Sequence, residues 1–381
     1  MSTAPGNQDI WLCPDQLFDG QNLLTNTAVH VVNGECADLS STGDLPAGAT
    51  VKKLSGLITP GFFDIQVNGG GGVLYNTTPT PEGLATIANA HRQFGTTALL
   101  PTVITDAPQV LDDAVEAMKD AYASHGIKGI HIEGPHISVE RKGTHEASWV
   151  RPFDARSLKL VRDLRDRNIP VLITVAPEGV AKGDIATLVE MGVVVSIGHT
   201  DAGVAEIKPA LEEGATLFTH LFNGMSQMVN REPGAVGTAI NSTAYCSLIA
   251  DGHHVADDML RLAIRARPVQ DRMIIISDAM PTVGGPDHFD LYGHQIYLKD
   301  GKLINNAGSL AGAHTTMWES VARMINQLEV PTQDVLRMAV SNPAALMSLT
   351  PSVATLQSAD LSDLLLISPD TNSVSLLSQM L

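Results

Sequence analysis

Four apolar, strand-like runs in this chain each end in a side chain that can bind a metal or move a proton: Glu133, His199, His220 and Asp278. HIEGPHIS (131–138) puts Glu133, a hard oxygen ligand, at a strand end just before the turn enforced by Gly134-Pro135. GHTDA (198–202) and FTHLFNGM (218–225) put His199 and His220 at the ends of consecutive strands, one helix-length apart. Two imidazoles and a carboxylate form a zinc- or iron-type ligand set that leaves a position open for water. Any one of them alone could be a hydrogen-bonded structural residue; three at matching strand ends favour ligation. SDAM (277–280) puts Asp278 at the end of the last run. There a carboxylate can take the proton of an activated water and return it to a leaving group. In isolation it would be read as the N-cap of the next helix.

Residues this far apart in sequence converge only if the fold gathers strand ends on one face. Residues 59–349 alternate short β-branched runs with helix-length amphipathic segments, the pattern of repeated βαβ units. Eight runs are predicted: Phe62–Val67, Thr97–Val103, Ile127–Glu133, Pro170–Val175, Val193–His199, Ala215–His220, Cys246–Asp251 and Met273–Asp278. Runs such as VVVSIG and MIIIS are apolar throughout, as suits strands buried on both faces. Gly95, Gly126, Gly192 and Gly214 fall where a helix should stop before the next strand. The expectation is an α/β protein with a (β/α)8 TIM-like barrel, whose catalytic groups project from the C-terminal strand ends. An open doubly wound sheet would not explain so many polar strand ends. Residues 1–58 and 350–381 read as β-rich and are expected to pair into a small β-sandwich domain beside the barrel of residues 59–349.

Composition narrows the function further. The 381 residues carry a net charge of −17 and contain no basic stripe, which argues against nucleic acid as a partner. Cys13, Cys36 and Cys246 are too few and unpaired for a disulfide framework or a four-cysteine zinc site. The N-terminus lacks the basic start and apolar core of a signal peptide, and no run approaches a membrane span, so a cytoplasmic, membrane-free protein is expected.

The set TPGFFDIQVNG, HIEGPHIS, KGTHEAS, SIGHTDA, THLFNGM, DGHHV, SDAM and SLAGAHTTM, in this order over nearly the whole chain, resembles the N-acetylglucosamine-6-phosphate deacetylases of the amidohydrolase superfamily. The resemblance implies hydrolysis of the acetamide of N-acetylglucosamine 6-phosphate to glucosamine 6-phosphate and acetate. It implies Glu133, His199 and His220 as metal ligands, Asp278 as catalytic acid/base, and His145 as the residue that polarises the acetamide carbonyl. It also implies substrate contacts from Thr144, Asn223, Gly224, Arg231, His254, Leu310, Ala311 and Gly312. Among these, Arg231 and His254 would grip the phosphate, a role that suits a guanidinium fork and an imidazole donor. Gly224 stands where relatives often have Ala.

Many amidohydrolases carry a His-x-His pair on the first barrel strand, where this chain has Gln66 and Asn68. Amides are poor ligands beside imidazoles, so one divalent ion is expected, zinc before iron, manganese or cobalt, with Gln66 and Asn68 bonding water or substrate. A homodimer is implied by the family. His91, His125, His288 and His294 read as structural or solvated, His131 as a support beneath Glu133, and His136 as a pocket-lining residue without chemistry. His253 could exchange roles with His254. Rival readings are an amidohydrolase acting on a cyclic amide or nucleobase, which would need no phosphate clamp, and an inactive barrel serving as a binding protein.

Overall fold

The computed structural model describes residues 9–305 and 310–381. Its centre is an eight-stranded, all-parallel sheet in sequential order: β1 (Phe62–Val67), β2 (Thr96–Ile104), β3 (Ile130–Glu133), β4 (Val171–Val175), β5 (Val194–Ile197), β6 (Leu217–Phe218), β7 (Tyr245–Ile249) and β8 (Met273–Ile276). All eight runs expected from the sequence are present. The sheet curls until β8 meets β1: Asp278 N donates to Gln66 O at 3.0 Å, Asn68 N donates to Ala279 O at 2.9 Å, and Val67 and Ala279 form a parallel bridge. Every residue of β2 and β4 is buried, which accounts for their unbroken apolar composition.

The intervening helices follow their sequence signals. Thr80 caps Pro81–Arg92 by accepting from Gly83 N, and the proline occupies the first turn, where no backbone donor is needed. Thr316 and Glu319 form a reciprocal capping box on Met317–Asn326. The apolar stripe of each helix, such as Leu84, Ile87 and Ala88 on the first, packs onto the barrel in one continuous core.

The terminal segments do pair with each other. They form one connected seven-stranded sheet, rather than two separately paired ones, in which Leu364–Ile367 runs antiparallel to Leu57–Pro60. Strand alternation explains why LLLI is apolar throughout. Leu364 and Leu366 join Leu12, Leu17 and Ile58 in a core belonging to this sheet, while Leu365 and Ile367 enter the barrel core with Phe62.

A four-stranded antiparallel sheet after β8 was not expected: His288–Leu291, His294–Lys299, Lys302–Ile304 and Leu310–Ala313. Its first two hairpins turn on Tyr292-Gly293 and Asp300-Gly301, each pair having both φ values between 50° and 77°, as a two-residue type I′ turn requires. Phe289, Leu291, Ile296, Leu303 and Ala311 form its apolar face against Leu74, Ile104 and Met280. His288 and His294 are exposed on this sheet. His125 lies in the turn after helix Pro108–Ala121, and His91 is fully buried, its Nε2 donating to Gly69 O at 2.8 Å.

Candidate active site

Glu133 ends β3, whereas His199, His220 and Asp278 each lie two residues past the ends of β5, β6 and β8. These three adopt φ values of 47°, 35° and 50°, in the left-handed region that costs a residue with a side chain about 1–3 kcal/mol. Their backbones are tied down. His199 O accepts from Ser138 N at 2.8 Å, His220 N donates to Ser247 Oγ at 2.7 Å, and Asp278 O accepts from Ala313 N at 3.1 Å. The strained geometry turns all three side chains inward over the barrel mouth.

There Glu133 Oε1, His199 Nε2 and His220 Nε2 form a triangle with edges of 3.0–3.1 Å. His199 Nδ1 donates to Arg141 O at 2.8 Å, which leaves the Nε2 lone pair facing the triangle. His220 Nδ1 is buried and has no hydrogen-bond partner among the described residues. Two imidazole nitrogens and a carboxylate oxygen converging in this way fit a divalent ion. Ligand atoms of Glu133, His145 and His199 also lie within 4.8 Å of one another, but the triangle completed by His220 is the tighter of the two. Beneath it, a buried hydroxyl layer supports the site: His131 Nε2 meets Thr174 Oγ1 at 2.7 Å, and Thr174 meets Thr219 at 2.8 Å. His131 is thus tied to threonine hydroxyls, Thr174 and Thr102, two residues before Glu133 on the same strand.

The electrostatics separate the two carboxylates. Burial alone would raise the Glu133 carboxyl, but hydrogen bonds and charge from His199 and His220 hold it well below the ordinary range. Burial and the neighbouring Glu133 charge push Asp278 up to about 6. Gln66 Nε2 donates to both Glu133 Oε1 and Asp278 Oδ1 at 3.1 Å, and Asn68 Nδ2 donates to Asp278 Oδ1 at 2.7 Å. The NH2 groups of both amides bond protein carboxylates, while Asn68 Oδ1 and Asp278 Oδ2 have no protein donor among the described residues. Burial, reinforced by His199, lowers His145 to about 3, so it is a neutral imidazole; its Nδ1 lies 2.7 Å from Thr105 Oγ1.

Glu133, His145, His199, His220 and Asp278 line one cleft of about 180 Å3 with Asn68, Thr144, Asn223, Gly224, His254, Leu310 and Gly312, beside the apolar Ile104, Ile249 and Met280. Gly224 has φ +57°, and a Cβ there would lie 2.9 Å from His199 Nδ1, so the bare glycine leaves room for that ring. His254 is held by Asp251, whose carboxyl accepts from His254 Nδ1 at 2.6 Å and from the backbone N–H groups of His253 and His254. Those bonds outweigh burial and bring Asp251 down to about 2. His253 is exposed and lines a separate cavity, so His254 is the imidazole of the pair that reaches the cleft.

Three residues expected to meet substrate or water, Gln66, Ala311 and Arg231, do not line the cleft. Ala311 lies on the opposite face of its strand, packed with Met280 and Phe289, because alternate residues of Leu310–Ala313 face opposite sides. Arg231 is exposed in the loop before helix Gly234–Asn241 and does not line this chain's cleft. His136 is buried, with its Nδ1 on Arg151 O, and does not line the cleft either. Sequence reasoning missed Asp251, Thr105 and the Arg141 carbonyl. The first two stand at or just past the ends of predicted strands, and that position was their signal.

Comparison with known proteins agrees with this geometry. The chain is 38% identical over 351 residues to an N-acetylgalactosamine-6-phosphate deacetylase from Shewanella sp. (strain ANA-3), covering 89% of this chain and 87% of the relative. It is 30% identical over 364 residues to the N-acetylglucosamine-6-phosphate deacetylase of Haemophilus influenzae, covering 93% and 94%. The crystal structure of N-acetylglucosamine-6-phosphate deacetylase from Pasteurella multocida superposes with a TM-score of 0.88 at 29% identity, covering 97% of this chain and 98% of that one. Residues 57–378 match the profile of the amidohydrolase family, and the chain belongs to that family.

Proposed function

We propose that this enzyme hydrolyses the acetamide of an N-acetylhexosamine 6-phosphate, with N-acetylglucosamine 6-phosphate as the principal substrate, to the amino sugar phosphate and acetate. The observation that carries this reading is the 3.0–3.1 Å triangle of Glu133, His199 and His220 beside an Asp278 carboxylate whose proton affinity is raised. Glu133, His199 and His220 would hold a divalent ion, zinc before iron, manganese or cobalt, which would supply Lewis acidity and lower the pKa of a water. The chain's own residues do the rest. Asp278 Oδ2 takes a proton from the attacking water, while Gln66 and Asn68 fix Oδ1 so that the carboxylate cannot swing away. His145 donates to the amide oxygen as charge develops there, a contribution of several kcal/mol in comparable sites. Asp278 then protonates the departing nitrogen.

Asp251 orients His254 toward the phosphate, and Thr144, Asn223, Gly224, Leu310 and Gly312 bound the sugar. Arg231 sits with the exposed Met228 and Val229 on a loop outside its own cleft. This placement suits a homodimer in which Arg231 grips phosphate in the neighbouring subunit's cleft. No helix among the described residues is long and apolar enough to cross a membrane, and the proposed compartment is the cytoplasm.

The likeness to the Shewanella enzyme favours one specific second reading, the galacto epimer as substrate. Acetate release is to be measured on N-acetylglucosamine 6-phosphate, N-acetylgalactosamine 6-phosphate and unphosphorylated N-acetylglucosamine, before and after chelation. Metal-dependent turnover of a phosphorylated sugar, with the unphosphorylated one poor, supports the proposal. Equal rates on all three would remove the phosphate clamp from it, and turnover of none would end it.

A further inference from the structure

We infer that Thr105, just past the C-terminal end of β2, is a positioning residue that fixes His145 as the tautomer carrying its proton on Nε2. The inference rests on the reading of His145 as the donor to the acetamide oxygen, and it names the group that makes His145 a donor. Thr105 is fully buried. Its hydroxyl lies 2.7 Å from His145 Nδ1 and 3.4 Å from the Glu133 carbonyl oxygen. The second distance is outside the usual O–H···O range of roughly 2.5–3.0 Å, so the hydroxyl proton goes to His145. A neutral imidazole has one donor and one acceptor. With Nδ1 accepting from Thr105, Nε2 must carry the hydrogen, and it is the nitrogen left to face substrate. The opposite tautomer would set a lone pair on Nε2 against the lone pairs of the amide oxygen, or would make His145 a metal ligand.

The surroundings are shaped around this hydroxyl. Gly134, directly after Glu133, has φ +78°, and a Cβ on it would fall 2.2 Å from Thr105 Oγ1. The glycine of the EGP turn therefore clears the space in which Thr105 reaches His145. From the other side, the Tyr292 hydroxyl of the inserted antiparallel sheet donates to the Thr105 carbonyl and fixes the backbone at this point. Three separate segments thus meet on one threonine.

The test uses the zinc-loaded enzyme with 15N-labelled histidine, the His145 signals being assigned from a His145→Gln sample. The wild type should show the Nε2–H tautomer. Thr105→Val, which keeps the shape and removes the hydroxyl, should lose that signature and lower kcat about ten- to a hundredfold while KM changes little. Thr105→Ser should restore both kcat and the spectrum. A wild-type His145 protonated on Nδ1, an unchanged kcat in Thr105→Val, or a Thr105→Ser no better than Thr105→Val would each overturn the inference. The wild-type spectrum decides the tautomer even if Thr105→Val does not fold. It also decides it if no N-acetylhexosamine phosphate is hydrolysed, a result that would refute the proposed activity alone.

Discussion

Asn68→Val should move the acid limb of the pH–kcat profile to higher pH. Asn68 Nδ2 donates to Asp278 Oδ1 at 2.7 Å, the shorter of the two amide bonds to that oxygen. A hydrogen bond to a charged group contributes about 1.5–3 kcal/mol, and this one stabilises only the ionised carboxylate. One pKa unit corresponds to about 1.4 kcal/mol, so its loss raises Asp278 by roughly one to two units, from about 6 to roughly 7–8. The sign follows from the role. Asp278 must be ionised to accept the water proton, so a higher pKa removes active enzyme on the acid side. At pH 7 the ionised fraction falls from roughly nine-tenths to between a half and a tenth, a two- to tenfold loss of kcat, and activity recovers near pH 9. Acetate release from N-acetylglucosamine 6-phosphate between pH 5 and 9, with thermal unfolding followed on the same samples, measures this. An acid limb at its wild-type position, or a loss uniform across pH in a folded variant, refutes the idea that Asn68 acts by holding the charged form of Asp278.

Asp278→Asn should abolish turnover and leave KM or inhibitor affinity largely intact; near-normal kcat would remove Asp278 from the chemistry. Metal analysis should find one tightly held ion per chain, because Gln66 and Asn68 already bond Glu133 and Asp278; two would show a second site. Asp251→Asn should raise KM for the phosphorylated sugar about tenfold with kcat kept, since it loosens a buried charge-assisted bond to His254; an unchanged KM would free His254 from the phosphate role. Buried His91 is lowered to about 4 by burial, its ordinary value being about 6.5. The unfolded chain therefore binds the extra proton between those values, and stability falls as pH drops from 6.5 to 4 by up to about 3 kcal/mol. Chemical denaturation of wild type and His91→Gln at pH 7 and 4.5 should show a smaller acid loss in the variant.

The barrel was legible because burial on both faces leaves a strand little choice of composition. MIII and VLITV can hardly be anything but central strands, and the glycine stops set their spacing. The inserted sheet obeys a different rule, with exposure alternating along a strand such as His288–Leu291, where polar His288 and Asp290 face out and Phe289 and Leu291 face in. Its signal lay in the turns: Asp300-Gly301 between LK and KL is the two-residue hairpin dipeptide. Periodicity sought at the scale of the barrel passes over strands this short, although one of them carries Leu310 and Gly312 into the cleft.

The site was legible to the extent that function sits on strand ends, and it became obscure where function passes through a second residue. Glu133, His199, His220 and Asp278 are metal- or proton-binding types at expected positions. Asp251 and Thr105 occupy equivalent positions but act through imidazoles, Asp251 on His254 three residues on and Thr105 on a ring supplied by another part of the chain. His145, for instance, comes from a loop 40 residues beyond Thr105. A sequence cannot show which hydroxyl faces which ring nitrogen, because that depends on where a glycine leaves space, as Gly134 does for Thr105. Arg231 exposes the opposite limit. Its type suits phosphate, but it is exposed and does not line its own chain's cleft, so the proposed phosphate role requires a second subunit, which no single-chain pattern encodes. If mixing inactive Asp278→Asn subunits with inactive Arg231→Ala subunits restores activity, Arg231 works across an interface. If the mixture stays inactive while the dimers exchange, phosphate is held within one chain by His254 and its neighbours.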